Sequence, residues 1–296
     1  MDQKKRKRGL LAFLMAVTLL VGALTGCNRI IQDEKGALVL EAKPVAGGML
    51  RLACVEAKTL NPLMVNSKSY QDIVPLLFVG LFEFDNNGLP KALLAEDGSF
   101  AETRNSCSMK LKSGVKWSTG TDVTVKDVKY SFDLLRENPT SMYYDLVKTV
   151  ESCRIKGDEV VFTFSESEPL KKECLSFPIV KSGTKQEKKT IATNGLYKVA
   201  KYVGLDRMTL AQNENWKLGA KPYIPSVEVI FINDPEVFVT TFQSQAVDAV
   251  NITSYDWSKY EEIRGTIAKD YFTGEMEYLG FNSGNEKLAD QRSRKA

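Results

Sequence analysis

Histidine is absent from all 296 residues. Its absence removes the commonest general base, the commonest transition-metal ligand and the Ser-His-Asp triad together. The thiols are Cys27, Cys54, Cys107, Cys153 and Cys174, and the last four are separated by 53, 46 and 21 residues with no CxxC pair. Metal-ligand spacing is therefore missing. Two readings of these four cysteines stay open, disulfides or isolated buried thiols acting as small apolar residues, and the second is favoured. Carboxylate or lysine chemistry survives the loss of histidine, but the chain has no GxSxG, P-loop or GxGxxG. No cofactor and no metal site are expected. The chain reads as a binder and not an enzyme.

Cys27 stands apart, at the end of "LLVGALTGCNR" (19–29). Five cations, Lys4 to Arg8, precede 18 uncharged residues from Gly9 to Gly26. At about 1.5 Å per residue this run only just crosses a hydrocarbon core of about 30 Å. A cationic start, an apolar middle and small residues before a break are the pattern of a secretory signal. "Leu24-Thr25-Gly26-Cys27" resembles the bacterial lipobox, which implies cleavage before Cys27 and a lipid on its thiol. An uncleaved membrane anchor is the alternative; either way the rest of the chain is expected outside the cytoplasm. Of 40 Lys and Arg and 37 Asp and Glu, five and one lie in residues 1–26, leaving 35 and 36 beyond them. No basic footprint for nucleic acid remains.

The elements that must position a site follow in order. Residues 28–48 mix charges with Pro44, Gly47 and Gly48 and read as a tether. "MLRLACV" (Met49–Val55) reads as a buried strand, and "TLNPL" (Thr59–Leu63) as an Asn-Pro turn. A helical stripe at Ile73, Leu76, Leu77 and Gly80 tolerates Pro75 only if the helix begins near Asp72. Asp85–Gly88 is a hairpin turn. Cys107, Met109 and Leu111 alternate with polar residues, as in a half-buried strand, and Ser113-Gly114 turns the chain. Thr124 and Asp127 open a helix burying Val125, Val128, Phe132 and Leu135. Hairpins are expected around Gly157-Asp158 and Gly204, with Lys181–Thr190 a polar, mobile crossing between them. Ser226–Ile232, a helix capped by Asp234 with Pro235 at its first position, and Asp248–Val250 form a parallel βαβ unit.

Five segments resemble one family in order. They are "GGMLRLA…TLNPL", "VGLFEFDNNG", "LKSGVKWSTGTDVTVKDVKYSFDLL", "TNGLYKV…MTLAQNENW" and "YLGFNSGN…LADQRSRKA". Together they resemble the extracellular solute-binding proteins of the oligopeptide/dipeptide/nickel class of ABC importers. The resemblance implies an α/β, periplasmic-binding-protein-like fold (type II, cluster C): a first lobe with an inserted α+β subdomain, the second lobe largely missing. It divides the chain into a signal peptide (1–26), lipidated tether (27–47), lobe one (48–90 and 191–280), insert (91–190) and the start of a crossing (281–296). Thr119 stands where an acidic residue is common, and "EDGSFAETRNSC" fits poorly.

The implied partners are a di- or oligopeptide, ABC permease subunits and a membrane reached through Cys27. The implied ligand lining is Thr59, Leu60, Asn61, Asn194, Gly195 and Tyr197, with Tyr143 reaching the ligand and Tyr144 behind it. Asn194-Gly195 also reads as an ordinary turn, and Tyr143-Tyr144 as core packing. Trp117 reads as a structural aromatic and Tyr271-Phe272 as core; Tyr278, Phe281 and Asn282 are hinge candidates. With one lobe only, weak or no binding is expected. A surface sensor or adhesin reusing the fold, a binding-incompetent fragment, or a carboxylate hydrolase are the rival readings.

Overall fold

The computed structural model describes residues 44–251 apart from 86, 166, 185–189 and 235–236, with residues 266–267 and the backbone of 30–32 and 38–40. The leader and Cys27, the hinge candidates Tyr278, Phe281 and Asn282, and Tyr271-Phe272 lie outside the described residues. Residues up to Val250 form one compact unit and Asn251–Ala296 a second.

The stretch expected to be a plain tether carries two strands, β1 (Ile30–Gln32) and β2 (Leu38–Leu40), paired antiparallel. The β-branched residues Ile30, Ile31 and Val39 have the strand propensity that suits this ladder. β3 (Met49–Cys54) follows, then a 3-10 turn at Pro62–Met64, α1 (Lys68–Gln71) and α2 (Val74–Leu77). The single helix expected here is thus two short ones. Pro75 sits in the first turn of α2, where its missing N–H costs nothing, and Phe78 is already extended. Gly80 is not on a helical face at all. A Cβ there would meet the carbonyl oxygens of Ser176 and Phe177 at 2.7 Å, so only glycine permits this approach.

β4 (Phe82–Phe84) and β5 (Pro90–Ala92) form the expected hairpin, with the Asp85 carboxylate accepting the Asn87 and Leu89 amides at 2.8 and 2.9 Å. β6 (Ala101–Glu102), β7 (Ser106–Lys110), α3 (Val125–Arg136), β8 (Val150–Lys156) and β9 (Glu159–Phe164) come next. The strands make an antiparallel sheet of order β6-β7-β9-β8. Alternation buries Cys107 and Met109 from β7 and Val160, Phe162 and Phe164 from β9. α3 covers that face with Val128, Phe132 and Leu135, Phe132 meeting Phe162 edge-on at 5.8 Å, while Val125 is only half-buried.

After α4 (Lys171–Cys174) the chain forms β10 (Tyr197–Val203), β11 (Arg207–Gln212), β12 (Ser226–Phe231) and α5 (Phe238–Gln243). Their sheet has the order β10-β11-β12-β3, with β12 parallel to β3 from Ser226↔Met49 to Phe231↔Cys54. Residues 248–250 contribute one parallel bridge, Leu52↔Ala249, on the other side of β3. With that edge thinly covered, Met49 is exposed, Leu50–Ala53 are half-buried and only Cys54 is buried, where a buried strand was expected. α5 follows the Asp234 segment, the Val237 amide reaching the Asp234 carbonyl at 3.2 Å, and Pro235, expected as the first helical residue, lies outside the described residues. β10 and β11 make the expected hairpin, but the left-handed residue is Leu205 at φ 62°, not Gly204.

Trp117 is fully buried, its indole N–H donating to Asp127 at 3.4 Å. The buried Asp127 carboxylate also accepts the Thr124 amide and the Ser182 amide, each at 2.8 Å. One side chain thereby starts α3, orients Trp117 and pins the loop after the antiparallel sheet. Cys54, Cys107 and Cys153 are buried free thiols and Cys174 a half-buried one.

Candidate functional site

In open sheets with parallel strands, ligands meet the carboxyl ends of the strands. Here β3 and β12 end together at Cys54 and Phe231, and the Ile232 amide closes on the Cys54 carbonyl at 2.9 Å. Beyond β3 the chain passes Glu56 into the Thr59–Asn61 turn.

That turn faces inward. Thr59, Leu60 and Asn61 are all buried. The Asn61 amide donates to Thr59 Oγ1 at 3.1 Å, and Asn61 Oδ1 accepts the Leu63 amide at 3.1 Å, capping the 3-10 turn. The Leu60 carbonyl accepts the buried Tyr70 hydroxyl at 2.7 Å, and burial raises the Tyr70 phenol well above its ordinary pKa. Asn194, Gly195 and Tyr197 are equally interior. The Asn194 side chain takes the Val79 amide on Oδ1 at 3.0 Å and gives Nδ2 to the Val79 carbonyl at 3.3 Å. The Gly195 amide reaches the Leu77 carbonyl at 2.9 Å, and a Cβ at 195 would lie 2.6 Å from the Leu77 carbonyl carbon. The Tyr197 hydroxyl donates to the Ile224 carbonyl at 2.8 Å. All six residues, expected as ligand lining, are buried, and five of them make interior hydrogen bonds through side chain or backbone besides the close packing of Gly195.

Tyr143 and Tyr144 remain half-buried. Tyr143 precedes the 3-10 turn Tyr144–Val147, and its phenol is pushed up to about 12 by burial, against a hydrogen bond to Gln71. Gln71 ends α1, where Ser69 accepts the Val55 amide on Oγ at 3.0 Å. Next along the chain, Glu56 accepts the Tyr202 hydroxyl at 2.6 Å and the Leu205 amide at 3.1 Å. Tyr202 and Glu56 thus share a hydrogen bond, Ser69 bonds the backbone of the residue before Glu56, and Gln71 pairs with Tyr143, a line of half-buried polar side chains beyond the carboxyl end of β3. Asn138, after α3, ties the antiparallel sheet's helix to this turn by donating to the Leu63 carbonyl at 2.8 Å.

Of this line only Tyr143 was nominated from the sequence. Glu56 and Tyr202 lie 146 residues apart, and no local spacing announces their meeting. Two surface depressions, about 210 Å³ beside Glu102 and Glu159 and about 250 Å³ beside Gln212 and Lys221, do not reach it. Among the described residues no group of three or more His, Cys, Asp or Glu is placed to hold a metal ion. Nor is any described helix long and apolar enough to cross a membrane.

Comparison with known proteins gives the arrangement its context. Over 313 aligned residues the chain is 25% identical to the oligopeptide-binding protein AppA of Bacillus subtilis, covering 99% of this chain and 57% of AppA. The structure of Bacillus subtilis AppA in complex with a nonapeptide superposes with a TM-score of 0.62 at 22% identity, over 75% of this chain and 47% of that one. NikZ of Campylobacter jejuni, in complex with Ni(L-His), gives 0.61 at 21% identity over 83% and 52%. The fold is thus α/β and periplasmic-binding-protein-like, related to the type II proteins, and the chain spans about half the length of the curated relatives it matches. Residues 90–296 match the family model described as "Bacterial extracellular solute-binding proteins, family 5 Middle". The chain belongs to the family 5 extracellular solute-binding proteins, a family of binders and not of enzymes.

Proposed function

We propose that the chain is the first lobe and insert of a lipid-anchored peptide receptor serving an ABC importer. In this reading residues 1–26 are a signal peptide, Cys27 carries the lipid, and residues 27–47 tether lobe one (48–90 and 191–280). Lobe one is of the type II, cluster C kind, residues 91–190 are its insert, and 281–296 begin the crossing to a second lobe. Permease subunits in separate chains receive the ligand.

The observation that carries this reading is the half-buried polar line from Tyr202 to Tyr143, at the strand ends where ligands meet such sheets. Relatives named for oligopeptide binding favour a peptide ligand. Peptide capture needs backbone hydrogen bonds and wet, roomy surroundings, because one site must accept many side chains. Thr59–Asn61 fixes the turn that follows the strand exit, while Asn194–Tyr197 braces the opposite end of the sheet, where β3 and β12 begin. Tyr143 meets the ligand directly, with Tyr144 behind it.

Receptors of this kind grip ligand by closing two lobes about a hinge, and the surface described here supplies one of the two faces in this reading. Titration calorimetry of the chain with mixed oligopeptides is expected to show binding that Tyr143→Ala weakens. Binding that this substitution leaves unchanged would contradict the site. The anchor has its own test, the intact mass of the protein extracted from its native membrane. A chain starting at Cys27 with a diacylglyceryl increment is expected, and a chain retaining residues 1–26 would refute lipidation.

A further inference from the structure

Residues 27–47 join the lobe at the end of the sheet opposite the polar line. The chain passes from Pro44 through Gly47 and Gly48, both at positive φ (124° and 76°), into Met49 at the start of β3. The Gly47 amide donates to the Tyr223 carbonyl at 2.9 Å, which joins this entry to the loop before β12. That loop, "NENWKLGAKPYIP" (213–225), brings Trp216, Lys217, Lys221 and Tyr223 to the same end. Val45, Met49 and Tyr223 each leave half their surface or more exposed. Trp216 is half-buried, its indole N–H donating to the Ala220 carbonyl at 3.2 Å. Lys217 and Lys221 are exposed. The acid within 44–49 and 213–225 is Glu214, and its carboxylate accepts Lys198 Nζ at 2.7 Å. Exposed apolar groups and rings beside lysines suit the boundary of water and lipid, where ammonium groups meet anionic headgroups.

We propose that this end of the lobe is a membrane-docking face, its occupant the anionic headgroup layer of the bilayer that holds Cys27. The inference rests on the lipid-anchor reading above and adds an orientation to it. The β1–β2 ladder sets the reach. Ile30 pairs with Leu40, so the chain returns on itself between the anchor and the lobe. Three residues from Cys27 to Ile30, one cross-strand step and four residues from Leu40 to Pro44 span about 30 Å at most. The same 17 steps from Cys27 to Pro44 without the hairpin could span about 60 Å. The ladder thus halves the leash and delivers the lobe to the headgroups by the end that carries the rings and lysines. The six residues of β3 then set the polar line about 20 Å from the docked end, open to ligand.

The test is hydrogen exchange, read by mass spectrometry, on the protein extracted from its native membrane. It is placed in vesicles of phosphatidylcholine with or without phosphatidylglycerol. Peptides spanning 44–49 and 213–225 are expected to exchange more slowly when phosphatidylglycerol is present, while those spanning β7 and β9 do not change. Lys217→Gln and Lys221→Gln should each lower the ratio of docked to undocked protein about five-fold. Both side chains are exposed, so neither variant threatens the fold. On the unaltered chain the protection should fall at about 1 M NaCl, where the Debye length is about 3 Å. If the chain floats with the vesicles and 213–225 exchanges alike with and without phosphatidylglycerol, the docking face is refuted while the anchor stands. If the chain carries no lipid and does not float, the anchor reading fails and the docking face falls with it. Protection of the β6-β7-β9-β8 sheet in place of 213–225 would put another face on the membrane and overturn the proposal.

Discussion

Asn194 satisfies both polar groups of one buried peptide unit, the amide and the carbonyl of Val79. Asn194→Ala leaves both without a partner in the interior, at about 1–3 kcal/mol for each unsatisfied group. Urea denaturation should show an unfolding free energy lowered by that amount, read as a lower midpoint. Gly195→Ala should be at least as damaging, since its Cβ would press on the backbone of Leu77. The thiols offer a second check at this scale. Burial pushes Cys54, Cys107 and Cys153 up to about 12, and Cys174, half-buried, is raised as well, chiefly by desolvation. The first three hold almost no thiolate at neutral pH. Iodoacetamide followed by peptide mass spectrometry should label Cys174 first among these four, and the others only on unfolding. Early labelling of Cys107 or Cys153 would contradict the packing of the antiparallel sheet.

Elements are joined here by a few carboxylates. Asp127 starts α3, receives Trp117 and holds Ser182, so Asp127→Ala should lower stability by about 2 kcal/mol or more, through the lost cap and the stranded donors. Thermal denaturation checks it; an unchanged midpoint would show that those contacts do not hold the elements together. Asp248 does similar work for the segment beyond α5, accepting the Arg51 guanidinium at 2.6 Å and the Arg51 amide at 2.7 Å. The Arg51 side-chain hydrogen bond holds the Asp248 carboxyl below its ordinary range. A depressed folded pKa contributes stability above the unfolded value, about 3.9, that is lost as pH falls through the lower folded value. Asp248→Asn should therefore narrow the stability difference between neutral and acid pH, as read by denaturant midpoints. Much of this level was legible in the sequence, including the alternation of β7, the Thr124–Asp127 helix start and the turns at Gly88 and Gly157. Helix lengths were less so, because the break at Phe78 answers to tertiary packing and not to local propensity. The site was read least well. Asn-Gly and Asn-Pro signal a turn whether their side chains face ligand or interior, and the partner that decides, such as Val79 for Asn194, lies 115 residues away.

At the scale of the molecule, the parallel pair β12 and β3 ends beneath a polar line contributed by the strand exit, α1, the segment after α3 and the β10–β11 hairpin. Four separated stretches of sequence converge there, which is why a surface so placed suits an adaptable ligand better than a single motif would. The central claim is that this line is where peptide lies. A peptide carrying a benzoylphenylalanine photo-crosslinker, irradiated with the chain and mapped by mass spectrometry, tests it most directly. Crosslinks confined to the neighbourhood of Glu56, Gln71, Tyr143 and Tyr202, and suppressed by excess unlabelled peptide, are predicted. Competed crosslinks on the open face of the β6-β7-β9-β8 sheet, or none that unlabelled peptide suppresses, would contradict it.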